Sequence, residues 1–165
     1  IAALNGTVAG AGAAIALASD IRIASDTAKI AFLFTRVGLA GADMGACFLL
    51  PRVIGMAKAT ELLMTGDFVS AEEAHRLGLY NQVVPKEETM NAAMKMAQKL
   101  ARGPAFGLMM TKRLLNREMA VSLEAALEIE EEAQALCMLH PDFRESYDAF
   151  VEKRKPSFKG TTRIA

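Results

Sequence analysis

Asn5-Gly-Thr-Val-Ala-Gly-Ala-Gly-Ala-Ala-Ile-Ala-Leu-Ala-Ser-Asp20 joins an apolar strand to an alanine-rich helix through three glycines. Gly6, Gly10 and Gly12 permit backbone angles and close approaches that a side chain blocks, and Ala13 to Ala18 reads as helix. The amides of a first helical turn have no intrahelical acceptor and sit at the positive end of the helix dipole, so they face whatever binds there. Two readings fit: an oxyanion site in outline, or tight helix–strand packing with nothing bound.

Outward from this junction, Ile1-Ala-Ala-Leu4 reads as an apolar strand. A strand needs neighbours to bond its backbone, so a preceding segment is expected. On the other side Asp20-Ile-Arg-Ile-Ala-Ser25 alternates in period two and reads as a strand, with a further short one at Lys29-Ile-Ala31. A glycine- and alanine-rich loop from Gly38 to Gly45 leads into an apolar helix through Leu50, with Pro51 and Gly55 marking its end. Met56 to Met64 reads as helix, stopped at Gly66. Ser70-Ala-Glu-Glu73 has capping-box spacing, which starts a short helix ending at Gly78, and Tyr80 to Val84 reads as a strand. From Lys86 onward the pattern is helices alone, with Met90, Ala93, Met94, Ala97 and Leu100 at helical spacing and a break at Gly103-Pro104. Leu108 to Asn116, Leu123 to Leu139 and a helix opening at Pro141 follow. The class is α/β, divided into a strand-and-helix core over 1–85 and a helical region over 86–165. The methionines of the later helices read as adaptable core filling.

A chain of 165 residues with 52% hydrophobic and 23% charged residues has the composition of one globular protein with a real core. Nineteen basic residues balance nineteen acidic ones, so the net charge argues for neither nucleic acid nor an anionic membrane surface. Cys47 and Cys137 are isolated, suit a reducing compartment, and read as buried small hydrophobes with no metal-site spacing. No apolar run approaches the ~20 residues of a membrane span.

The sequence lacks a nucleophile elbow, a paired-histidine zinc motif, a P-loop and a dinucleotide fingerprint. His75, in a charged helical segment, and His140, before a Pro-Asp helix start, read as solvated or capping residues. An acid–base enzyme without histidine needs a carboxylate. Asp20, Asp26 and Glu61 each have a structural use at a strand start, in a turn and on a helix. Asp43 lies in Gly41-Ala-Asp-Met-Gly45, a glycine-flanked loop amid apolar residues at a helix start. It reads as a helix N-cap or as an acid–base group.

Several stretches together resemble the crotonase superfamily of enoyl-CoA hydratases and isomerases. They are Ile1-Ala-Ala-Leu-Asn-Gly6, the Gly-Ala-Gly turn, Ser19-Asp-Ile-Arg-Ile-Ala-Ser25, Leu50-Pro-Arg-Val-Ile-Gly55, Leu63-Met-Thr-Gly66, Ser70-Ala-Glu-Glu-Ala74, Gly78-Leu79 and Val83-Val-Pro85. Phe150-Val-Glu-Lys-Arg-Lys-Pro-Ser-Phe-Lys159 is similar to that family's closing helix and tail. The order and spacing run nearly end to end.

The resemblance implies a spiral of ββα units followed by helices that build a homotrimer or hexamer, and an acyl-CoA thioester as substrate. Coenzyme A enters as part of the substrate; no separate cofactor, metal, nucleic acid or membrane is implied. The compartment is cytoplasmic, or the mitochondrial matrix in a eukaryote. Two backbone amides hold the thioester oxygen of an enolate. One falls on Ala11, between Gly10 and Gly12, and the other belongs before Ile1. Phe150, Lys153 and Phe158 are implied to contact the CoA adenine and phosphates. The two glutamates of the family's hydratases fall on Ala14 and Phe34, neither of which can carry a proton. The loop from Gly41 resembles the aspartate-bearing loop of the dienoyl-CoA isomerase branch, which leaves Asp43 as the carried-over acid or base. Three readings remain: an enolate-forming enzyme that moves a proton or double bond, a hydratase with unconventional acid–base groups, and a non-catalytic acyl-CoA-binding member.

Overall fold

A computed structural model describes residues 1–162 of the chain. It divides into two compact units, Ile1–Lys95 and Met96 onward, with the division inside a helix.

In the first unit, β1 (Ala2–Leu4) and β2 (Val8–Ala9) precede helix α1 (Ala11–Ala18), and β3 (Arg22–Ser25) and β4 (Lys29–Ala31) repeat the two-strand step. β3 lies parallel to β1 in one sheet and β4 parallel to β2 in another, with Ala3 opposite Ile23 and Val8 opposite Ile30. Each strand–strand–helix step therefore stacks on the previous one, which is one turn of a ββα spiral. A 3-10 turn (Leu33–Val37), α2 (Ala46–Ile54) and α3 (Met56–Thr65) follow, then β5 (Val69–Ser70), α4 (Ala71–Arg76) and β6 (Gln82–Val84). β5 closes the second sheet antiparallel to β4, and β6 closes the first parallel to β3.

The core gathers Leu4, Ala13, Leu17, Ile30, Phe32, Leu50, Leu62, Val69, Leu79 and Tyr80. The alternation of β3 does not produce an exposed face: as the middle strand it is buried throughout. Arg22 survives there because its Nε donates to Leu79 O at 2.6 Å and its Nη1 to the carbonyls of Leu17 and Ser19. Burial pushes this guanidinium below its usual value, against the opposing effect of Asp20.

Several boundaries differ from the sequence reading. α1 begins at Ala11, so the Gly-Ala-Gly turn contributes its own first turn. α2 runs through Pro51 to Ile54; proline removes one helical donor, and the carbonyl so released belongs to Cys47, in an exposed turn open to water. Tyr80 is not in a strand: the amides of Leu79 and Tyr80 both donate to Ala74 O and close α4, and pairing with β3 starts only at Asn81 N donating to Arg22 O. The expected cap is present, with Ser70 Oγ accepting from Glu73 N at 3.2 Å. Cys47 is exposed and Cys137 half-exposed, so neither is a buried core residue.

After β6 the described elements are helical: a 3-10 turn (Lys86–Glu88), α5 (Thr89–Ala101), α6 (Ala105–Arg117), a further 3-10 turn (Glu118–Ala120), α7 (Leu123–Leu139) and α8 (Pro141–Val151). Ser122 caps α7, and His140 caps α8 by accepting from Asp142 N at 3.2 Å. His140 is 2% exposed, hence not solvated. Its ring stacks on Phe106 with centroids 4.7 Å apart. Met90, Met94 and Met138 are exposed, so they fill no core within this chain.

Candidate active site

Gly10 sits at φ 55°, ψ −123° and its amide donates to Ala31 O at 3.1 Å, which ties the turn to β4. Nothing lies within 4 Å of a Cβ built there, so the glycine is required by its backbone angle and not by lack of space. The first bond that closes α1 runs from Ala14 N to Gly10 O. The amides of Ala11, Gly12 and Ala13 precede it, and the first turn carries no acidic side chain to occupy them. Ala11 and Gly12 are exposed, while Ala13 and Ala14 are buried. A Cβ on Gly12 would meet only Val8 Cγ1, at an ordinary 3.8 Å. Tight packing therefore accounts for neither glycine of the Gly-Ala-Gly turn.

Gly41 is different. A Cβ there would stand 2.8 Å from Leu63 O, so the chain passes directly over α3 and only glycine fits. This close passage fixes the start of the segment that carries Asp43. Asp43 Oδ1 accepts from the amide of Met44 at 2.9 Å, and Met44 itself is left-handed at φ 50°. The residue that caps α2 is Gly45, also left-handed, with no side-chain hydrogen bond. Asp43 is thus not the N-cap of α2, and its carboxylate is exposed. Around it in sequence, Val37, Leu39, Met44 and Phe48 are exposed as well, which makes an apolar surface suited to an acyl group or a partner. Sequence reading did not single these residues out, because apolar side chains beside a helix read as core.

α1, which the Gly-Ala-Gly turn opens, packs against α2, and the Asp43 segment leads directly into α2, which in turn packs against α3. Ala14 and Phe34 are buried, Phe34 as part of the core, and neither side chain can exchange a proton. Among the candidate positions of this unit, Asp43 alone carries an ionisable group.

In the second unit Phe150 is 83% exposed near the end of α8, Lys153 is left-handed at φ 54°, and Phe158 is half-buried in the following tail. Lys153, Lys155 and Lys159 are exposed and carry no ion pair among the described residues. A cavity of about 610 Å³ between α6, α7 and α8 is lined by Phe106, Leu114, Ala133, His140 and the acidic Glu118 and Asp142. Its lining includes no lysine or arginine, so the cavity repels phosphate while the tail attracts it. Among the described residues no cluster of three or more His, Cys, Asp or Glu could hold a metal, and no helix is long and apolar enough to cross a membrane.

Comparison with known proteins identifies the family. The family described as enoyl-CoA hydratase/isomerase matches residues 1–161. The 1,2-epoxyphenylacetyl-CoA isomerase of Escherichia coli K12 is 42% identical over 160 residues, covering 97% of this chain and 61% of that protein. The short-chain-enoyl-CoA hydratase of Clostridium acetobutylicum is 37% identical, covering 94% of this chain and 59% of its own length. A solved Streptomyces coelicolor A3(2) protein, described as a candidate enoyl-CoA hydratase, superposes with a TM-score of 0.94 at 49% identity over 96% of this chain and 58% of its own. The chain spans about three fifths of the length of these relatives.

Proposed function

Because the chain belongs to the enoyl-CoA hydratase/isomerase family, we propose that the whole protein is an acyl-CoA enzyme that stabilises a thioester enolate and moves a proton or a double bond. The observation that carries this reading is that the exposed Ala11 opens α1, while the exposed Asp43 stands just before α2, the helix that packs against α1. The Ala11 N–H donates to the thioester oxygen as negative charge develops there; one such donor is worth roughly 10²–10³ in rate. Asp43 takes the proton from carbon, or returns it, and is the only ionisable side chain among the candidate positions of this unit. Ala14 and Phe34, the positions on which the family's hydratase glutamates fall, are buried and can exchange no proton, which argues against hydration by paired glutamates and supports isomerisation.

Lys153, Lys155 and Lys159 supply positive charge, and Phe150 and Phe158 supply aromatic surface, for the phosphates and adenine of a CoA. Assembly into a homotrimer or hexamer is supported by the exposed Leu115, Leu123, Leu127, Met138 and Leu139 of the helical unit. Product analysis of the full-length protein on a panel of enoyl- and dienoyl-CoA thioesters tests the reading. Double-bond migration without net addition of water is the expected result. Hydration of every active substrate would favour the hydratase reading, and binding without turnover the non-catalytic one.

A further inference from the structure

Arg154 lies in the basic tail but is already occupied. Its Nη1 and Nη2 donate to Glu145 Oε1 and Oε2 at 2.6 and 3.0 Å, and its Nε donates to Glu152 Oε2 at 2.5 Å. The same Glu145 Oε1 accepts the amide of Ser157 at 2.7 Å. Between these anchors the chain leaves α8 by Lys153 N donating to Phe150 O and Arg154 N donating to Ala149 O, with Lys153 left-handed. One carboxylate on α8 thus holds the tail at two points, 154 and 157, on either side of Lys155 and directly before Phe158.

We infer that Glu145 is a positioning residue for the nucleotide end of CoA: with Arg154 it fixes the tail so that Lys153, Lys155 and Lys159 present their charges and Phe158 its ring. This deepens the tail assignment of the proposed function and rests on it. Arg154 is consumed as the clasp and is not itself a phosphate ligand. A tail ordered before binding avoids the entropy of immobilising those side chains on the ligand, and bidentate guanidinium–carboxylate geometry makes the clasp specific even at an exposed site.

The test compares affinities of the full-length protein for coenzyme A and for pantetheine, which lacks the nucleotide, in Glu145→Gln, Arg154→Gln, Lys153→Ala and Phe158→Ala. Glu145→Gln and Arg154→Gln should each weaken coenzyme A by about 5-fold, the scale of losing preordered side chains, with pantetheine affinity and melting temperature unchanged. Tighter coenzyme A binding by Glu145→Gln together with weaker binding by Arg154→Gln would make Arg154 the ligand and overturn the inference. Equal loss for both ligands would mean general damage and overturn it too. Unchanged affinity in Glu145→Gln while Lys153→Ala and Phe158→Ala weaken binding would overturn the positioning role alone. No loss in any of the four would remove the tail assignment beneath it.

Discussion

Gly41 passes so close to α3 that a Cβ on it would stand 2.8 Å from the carbonyl oxygen of Leu63. Backbone cannot yield there as a flexible side chain would, so Gly41→Ala must displace either the segment or the end of α3. The expected cost is about 1–3 kcal/mol in urea unfolding, with turnover lost alongside because Asp43 lies two residues on. Unchanged stability would show that the segment relaxes freely and does not fix Asp43.

The Gly-Ala-Gly turn separates packing from binding by its two glycines. Gly10→Ala forces φ 55°, ψ −123° on a residue with a side chain, at a cost of about 1–3 kcal/mol. Gly12→Ala meets only ordinary contact and replaces glycine by the best helix former, so stability should hold or rise by up to ~1 kcal/mol. If the exposed amides bind the thioester, the new methyl beside Ala11 should still reduce turnover. A Gly12→Ala enzyme that is both stable and fully active would leave the turn with a folding role alone.

The clasp at the end of α8 has a defined pH window. The Arg154 guanidinium, with the Ser157 amide, lowers the Glu145 carboxyl from its ordinary 4.5 to about 2. A carboxyl depressed on folding contributes fully above its unfolded value and loses that contribution as pH falls through the folded one. The tail should therefore stay ordered at pH 4 and loosen toward pH 2. The Ser157 amide shift in an NMR titration reads this directly; a midpoint near 4.5 would contradict the clasp.

Assembly tests the exposed leucines of the helical unit. Light scattering of the full-length protein at micromolar concentration should give a trimer or hexamer, and Leu115→Glu or Leu123→Glu should shift it to smaller species. A monodisperse wild-type monomer would contradict the assignment.

The order of elements is legible because glycine breaks, the Ser70 capping box and Pro141 mark helix boundaries through local chemistry. What escaped depends on contacts distant in sequence. Arg22 reads as the exposed position of an alternating strand until β1 and β6 are known to flank it. The Glu145–Arg154 clasp spans nine residues across a helix end, a spacing with no periodic signature. Asp43 reads from the sequence as a helix cap or an acid–base group, and it takes the folded segment to show that Gly45, not Asp43, holds the cap position of α2. Met90, Met94 and Met138 follow helical spacing, and spacing alone does not distinguish a chain's own core from a surface meant for a partner.

Asp43→Asn in the full-length protein separates proton transfer by Asp43 from a purely structural use of its side chain. Asparagine keeps the oxygen that accepts the Met44 amide at 2.9 Å, so the segment and coenzyme A affinity should be preserved, but it cannot transfer a proton. The expected result is turnover slowed by roughly 10²-fold or more on the preferred acyl-CoA, at unchanged melting temperature. Near-normal turnover at unchanged melting temperature would contradict a catalytic Asp43.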